Sequence, residues 1–213
     1  MTTHYDDEAQ AERLKQWWKE NWLALAGGLV IGLAAIFGWE AWNDYGDKRA
    51  QQASRMYEDL KMAIAAQRME DAAGIGDALI GEHARSPYAS AAALFLAAEA
   101  VKADDLDTAL RRLRWVREHG ADEGLRQVAR VREAAVLWQQ GKPDTALAVL
   151  DGDPGEFAAP IEELRGDIRL AQGDRAAARA AYEKALAALA ADDLAARSGL
   201  QRKLDDLADV VRS

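Results

Sequence analysis

The sequence predicts an all-α chain: a single N-terminal transmembrane helix followed by a helical-repeat solenoid. Three observations carry that prediction. Nineteen consecutive residues between Glu20 and Glu40 bear no charge and are mostly apolar. Beyond them Ala and Leu dominate, Pro is scarce, and the runs of Val, Ile, Thr and Tyr that suit strands are absent. In that downstream stretch a turn-and-helix pattern recurs three times.

The first dozen residues contain Asp6, Asp7 and Glu8 without a periodic apolar face and read as a mobile tail. From Glu12 the pattern turns helical, giving an acidic tail and juxtamembrane helix over 1–21, a transmembrane helix over 22–42 and a repeat domain over 43–213. At roughly 1.5 Å per residue, a helix through the uncharged run nearly matches a hydrocarbon layer of ~30 Å. Leu23, Leu25, Leu29, Val30, Ile31, Leu33, Ile36 and Phe37 together favour insertion by roughly 2–5 kcal/mol, and no central charge opposes them. Trp17, Trp18 and Trp22 on one side, and Trp39, Trp42 and Tyr45 on the other, suit the headgroup layers. About twenty mostly polar residues precede the run, and Trp39 and Glu40 stand where a signal peptide would need small residues, so the segment reads as an uncleaved anchor. Arg13, Lys15 and Lys19 lie closer to it than Lys48, Arg49 and Arg55, a slight bias towards a cytoplasmic N-terminus. Ala24, Gly28 and Gly32 fall on one face, a candidate packing surface for another helix in the membrane.

Past the anchor, helices are expected over Tyr45 to Gln67 and Ala72 to Ala84. Ser86-Pro87 then supplies an N-cap followed by proline at the first helical position. The recurring segments are 104–110 (Asp-Asp-Leu-Asp-Thr-Ala-Leu), 141–147 (Gly-Lys-Pro-Asp-Thr-Ala-Leu) and 173–179 (Gly-Asp-Arg-Ala-Ala-Ala-Arg). Their aligned alanines, Ala109, Ala146 and Ala178, are 37 and 32 residues apart, close to the ~34 of a tetratricopeptide repeat. Gly166, twelve residues before Ala178, and Tyr182 and Ala185 after it fit the same consensus. A helix pair cannot bury both faces alone, so such pairs stack into a curved solenoid. Asp192 and Asp193 open a charged last helix, expected to reach Arg212 and to cap the array.

The repeat consensus places Ala91, Leu94, Ala98, Val101, Val128, Val131, Ala135, Trp138 and Leu170 on the concave face, a candidate protein-binding groove that is mainly apolar. Two readings stand: the groove takes a hydrophobic segment of another protein, or flanking helices fill it. Arg111, Arg112, Arg114, Arg117, Arg126, Arg130 and Arg132 outnumber the acids among them, as a solvated helix face or a docking patch for an acidic partner.

Catalytic signatures are missing. The absence of cysteine excludes disulfides, thiol catalysis and thiolate metal sites. His4, His83 and His119 have no second ligand at metal spacing, and no phosphate loop or nucleophile elbow occurs. Asp151-Gly152-Asp153-Pro154-Gly155-Glu156 lacks the remaining ligands of a calcium loop and reads as a turn. The formal charge of −9 disfavours a nucleic-acid or anionic-lipid surface as main partner. The expectation is a non-enzyme without cofactor or metal.

The acidic tail, Lys15-x-Trp17-Trp18-x-x-Asn21, the span ending Gly38-Trp39-x-x-Trp42 and the repeat body together resemble the YfgM family across essentially the whole chain. That resemblance implies an ancillary subunit of the SecYEG translocon in a bacterial inner membrane, with its N-terminus cytoplasmic and its C-terminal domain periplasmic. It implies partnership with the translocon and with the membrane-anchored periplasmic chaperone PpiD, and a chaperone-like adaptor role for emerging exported client chains. The alternative is a structural organiser of an envelope assembly or stress-signalling complex that binds no client. No catalytic residue is implied.

Overall fold

Four residues reverse the chain in the left-handed backbone region: Gln67 (φ 57°), Asp104 (60°), Gly141 (74°) and Gly173 (84°). They belong to a computed structural model that describes residues 3–209. The elements are α1 (Thr3–Ala65), α2 (Met69–Glu82), α3 (Pro87–Lys102), α4 (Leu106–His119), α5 (Glu123–Gln139), α6 (Pro143–Val149), a 3-10 turn (Gly155–Phe157), α7 (Ala158–Ala171), α8 (Arg175–Ala188) and α9 (Leu194–Asp209). No strand occurs among the described residues.

Each of these four residues closes its helix with the same pair of hydrogen bonds. Asp104 N donates to Val101 O (3.0 Å) and Asp105 N to Ala100 O (2.8 Å). The pattern repeats at Gly141 and Lys142, at Gly173 and Asp174, and at Gln67 and Arg68. This pair of hydrogen bonds satisfies carbonyls that a helix end leaves open, at the cost of one residue with positive φ. Glycine adopts that conformation without steric penalty, and aspartate tolerates it better than most residues.

Five residues after each reversal comes an alanine, Ala72, Ala109, Ala146 or Ala178, and all four are fully buried. The sequence revealed three such hairpins. The structure adds a fourth, α1 with α2, hidden because Gln67-Arg68 carries neither Gly nor Asp. The second helix accordingly lies at Met69–Glu82 rather than 72–84. Ser86 caps α3 as expected, its side chain accepting from Tyr88 N at 3.2 Å. The last helix begins at Leu194, and the part of that expectation reaching Arg212 lies outside the described residues.

The chain divides into two units, Met1–Gln51 and Gln52–Ser213. In the first, helix already begins at Thr3, where the sequence suggested a tail without a periodic face. A 42° bend separates Glu12–Ala24 from Ala26–Ala65, inside the span expected at 22–42. Among the described residues no single helix is long and apolar enough to cross a membrane. The two arms of the bent pair meet the length and composition of a span only when taken together, as core helices of soluble proteins and signal sequences also can.

In the second unit consecutive helices pack in order from α2 to α9, while α3, α5 and α7 also touch side by side. Ala53, Leu60 and Ala63 from the end of α1 join Ala72 and Leu79 of α2 and Ala92 and Leu96 of α3 in one apolar cluster. A larger cluster runs from α3 to α7 around Leu113, Val116, Leu137, Ile161 and Ile168. A third joins Tyr182 and Ala185 of α8 to Leu200, Leu204 and Leu207 of α9. Helix α6 is only seven residues long. Its open carbonyls are met by arginines: Arg130 Nε donates to Val149 O (2.9 Å), and Arg130 Nη2 and Arg165 Nη2 (2.7 Å) to Leu150 O.

The end of the array is locked around one ring. A Cβ on Gly166 would sit 2.3 Å from Tyr182 Cε1, so only glycine lets α7 approach that ring. The Tyr182 hydroxyl donates to Asp167 Oδ1 at 2.7 Å. Lys203 of α9 reaches both Asp167 oxygens (2.7 and 2.9 Å) and Glu163 (2.8 Å), with its Nζ 5.4 Å from the centre of the Tyr182 ring. Burial, reinforced by Asp167, pushes the Tyr182 phenol well above its ordinary 10.0. Burial alone would lower Lys203, but Asp167 and Glu163 outweigh it and hold the amine above 10.5.

Two predictions follow from this lock. Gly166→Ala should lose about 1–3 kcal/mol by overpacking, while Gly74→Ala, where an added Cβ meets nothing within 4 Å, should gain up to about 1 kcal/mol; urea midpoints compare them. Both shifted groups hold protons more tightly in the folded state. Their contribution is therefore complete below pH 10 and is lost as pH rises through the raised values. Melting temperature should fall more steeply above pH 10 in the parent chain than in Tyr182→Phe.

Candidate protein-binding face

Helices α3, α5 and α7 carry all nine residues assigned to the concave face. The structure sorts them by depth. Leu94 is core, 7% exposed. Ala91, Val101, Val128, Val131, Ala135 and Trp138 are half-buried, and Val101, Val128, Val131 and Trp138 pack against the main cluster. Ala98 and Leu170 are exposed.

Three of the nine, Ala98, Val101 and Ala135, line one open concavity of about 310 Å³. Buried Ala97, Leu113 and Val136 line it too, together with the exposed Arg132 and Gln139. The other six predicted residues lie outside that lining. Sequence reasoning left Arg132 and Gln139 out of the groove because it admitted only apolar positions there, and named Arg132 only within the arginine-rich interval. Yet Val128, Arg132, Ala135 and Gln139 recur at steps of four, three and four, the spacing of one helix face. The signal was present in the period and absent from the polarity.

The arginines of this region are mostly committed inside the molecule. Arg112 Nη1 donates to Asp77 Oδ1 (2.9 Å), and Arg126 Nε to Glu123 Oε2 (3.0 Å). Arg111 binds the Thr108 hydroxyl, and Arg130 binds backbone carbonyls around α6. Arg114 and Arg117 converge on Glu133, which is 1% exposed. Arg114 Nε donates to its Oε1 at 2.9 Å, whereas Arg117 Nε lies 3.1 Å from Oε2 in an ion pair without hydrogen-bond alignment. A buried carboxylate is tolerated only with such pairing. Glu133 was not legible as buried, since charge normally marks a solvated position. Among the described residues, Arg132 has neither hydrogen bond nor ion pair. The docking patch suggested by seven arginines thus reduces to a mostly self-neutralised surface with one uncommitted guanidinium.

In the first unit, Ala24, Gly28 and Gly32 are exposed, and a Cβ added at Gly28 or Gly32 meets no atom within 4 Å. No contact within the chain requires glycine there. Leu23, Leu29, Val30, Ile31, Ile36 and Phe37 are each more than 60% exposed, as are Trp39, Trp42 and Tyr45. Among the described residues, no three His, Asp or Glu side chains are grouped so that they could hold a metal ion.

A family model described as a tetratricopeptide repeat-like domain matches residues 15–209. A relative from Escherichia coli K12, named ancillary SecYEG translocon subunit, is 32% identical over 184 residues, 86% of this chain and 88% of its own. One of the same name from Haemophilus influenzae is 31% identical over 186 residues, covering 87% and 91%. Another from Neisseria gonorrhoeae is 29% identical over 210 residues, covering 97% and 100%. The correspondence thus runs through the apolar segment as well as the repeats, and the chain belongs to the YfgM family, whose relatives carry that name, on a tetratricopeptide-repeat-like fold.

Proposed function

We propose that the chain is an ancillary subunit of the SecYEG translocon, held in the bacterial inner membrane by residues 22–42 with its repeat domain in the periplasm. The observation that carries the reading is the exposed apolar surface from Trp22 to Trp42. Isolated exposed apolar side chains are ordinary, but a contiguous surface of this kind calls for lipid or a partner helix. Within the bilayer the segment tilts or bends to fit the hydrocarbon thickness, which accommodates the 42° bend.

The repeat domain acts by binding rather than by catalysis. Its concave face offers half-buried aliphatic groups to a segment of another protein, with the PpiD chaperone and emerging exported chains as partners. Tethering raises the local concentration of that face for chains leaving the channel, so individually weak contacts suffice. The relatives' shared name supports the translocon assignment.

Alkaline carbonate washing should leave the full-length chain in vesicles, and protease added to intact spheroplasts should degrade residues 52–213 while sparing the N-terminal tail. Extraction by carbonate, or protection of the body until lysis, overturns the reading. Within the span, Gly28→Leu combined with Gly32→Leu should weaken association with a neighbouring membrane helix, read as reduced cross-linking to SecYEG at unchanged membrane retention; undiminished cross-linking removes that packing role.

A further inference from the structure

We propose that the concavity between α3 and α5 is a subsite for an aliphatic side chain flanked by a carboxylate, carried on a segment of a partner protein. This rests on the reading that the concave face takes partner segments and adds which chemistry that segment must have. At about 310 Å³ the concavity lies at the lower end of the roughly 300–1,000 Å³ typical of ligand sites, a size for side chains rather than a whole cofactor. Its apolar walls are Ala97, Ala98, Val101, Leu113, Ala135 and Val136, small or aliphatic groups that offer shape and no hydrogen bond, and its polar lining is Arg132 and Gln139. An entering aliphatic chain therefore gains by leaving water against those walls, and a polar group finds hydrogen-bond partners only at Arg132 and Gln139.

Arg132 supplies the second half of the recognition. It lines the same concavity, is exposed, and has no acceptor among the described residues. Nearby acids are already engaged. Glu133, the next residue, is turned inward onto Arg114 and Arg117, and Glu99 of α3 holds Lys102 at 2.6 Å. A guanidinium beside an apolar wall pairs with a carboxylate more strongly than one surrounded by water, because the wall excludes solvent on one side. Lysine or arginine at that point of the partner is repelled. The selected segment is thus aliphatic with an adjacent Asp or Glu.

The test uses the full chain in nanodiscs, panned against a random dodecapeptide display library, with three variants. The parent chain should enrich peptides pairing Leu, Ile or Val with a nearby Asp or Glu. Arg132→Glu should invert the charge preference to Lys or Arg while keeping the aliphatic anchor. Ala98→Trp, which fills the concavity from an exposed position, should enrich neither class. Leu170→Ser, on the same face but outside the concavity, should select the same peptides as the parent. Fluorescence anisotropy of the best parent peptide should show about tenfold weaker binding to Arg132→Glu, with melting temperatures confirming that all variants are folded. The inference is overturned if the parent enriches no aliphatic-acidic class, if charge reversal leaves the selection unchanged, or if Ala98→Trp retains it. Each of those outcomes leaves the translocon assignment standing, because that is decided by membrane retention, protease access and cross-linking.

Discussion

The repeat body depends on helices crossing at residues too small to hold them apart. Ala72, Ala109, Ala146 and Ala178 each follow a left-handed reversal by five residues, and each is fully buried. The two features cooperate. The reversal fixes where the second helix starts, and the alanine fixes how near it can approach the first. A larger side chain at these crossings forces the pair apart and passes the displacement to the next pair, since neighbouring pairs share their packing. Gly166 is the same device carried further, where the Tyr182 ring takes the space a Cβ would occupy. The spacing of α3, α5 and α7, and with it the concavity, follows from these contacts.

Charge reinforces that arrangement from within. The body turns several of its arginines onto its own acids and carbonyls: Arg114 and Arg117 onto Glu133, Arg112 onto Asp77, Arg130 and Arg165 onto the end of α6. Helix α6 is seven residues long, and without those arginines its last carbonyls would be buried unpaired. Lys203 ties α9 to α7 through Asp167 and Glu163, so the last helix is held by charge as well as by Leu200, Leu204 and Leu207. Cationic surface that looks available for partners in the sequence is largely structural.

Much of this was legible beforehand, and the reasons for the exceptions are physical. The three later hairpins announce themselves because Asp104, Gly141 and Gly173 are residue types that favour positive φ. The first hairpin uses Gln67, which has no such preference, so its turn rests on the packing of Ala72 with Leu60, Ala63 and Leu79 and on the closing hydrogen bonds rather than on residue type. The repeat consensus assigned nine residues that lie on α3, α5 and α7, but such a consensus cannot tell a residue at the rim of a groove from one beneath it. Leu94 fell beneath. Arg132 stands out in the sequence only as one of seven arginines and not as part of the groove, because an arginine is normally read as solvent-facing, and its significance lies in a missing partner, a property of the folded arrangement rather than of any local motif. The bend near residue 25 carries no proline and interrupts a span read from composition alone.

The limits on open apolar surface bear on how such a body would work at the site proposed for it. A rigid apolar groove that closed on itself would serve as core and nothing else, while a wide one would risk self-association. Here six of the nine residues assigned to the groove are half-buried, four of them against the main cluster, which leaves one small concavity and scattered exposed neighbours such as Leu170 among them. So small an apolar contact gives weak affinity on its own, because ordering a bound segment costs a comparable amount. Weak contacts would suit the adaptor role proposed above, in which bound segments are released, provided encounters are frequent. The proposed tether would supply that frequency without any gain in affinity. On that proposal the modest concavity and the long exposed apolar helix belong to one design, in which location supplies the strength the groove lacks.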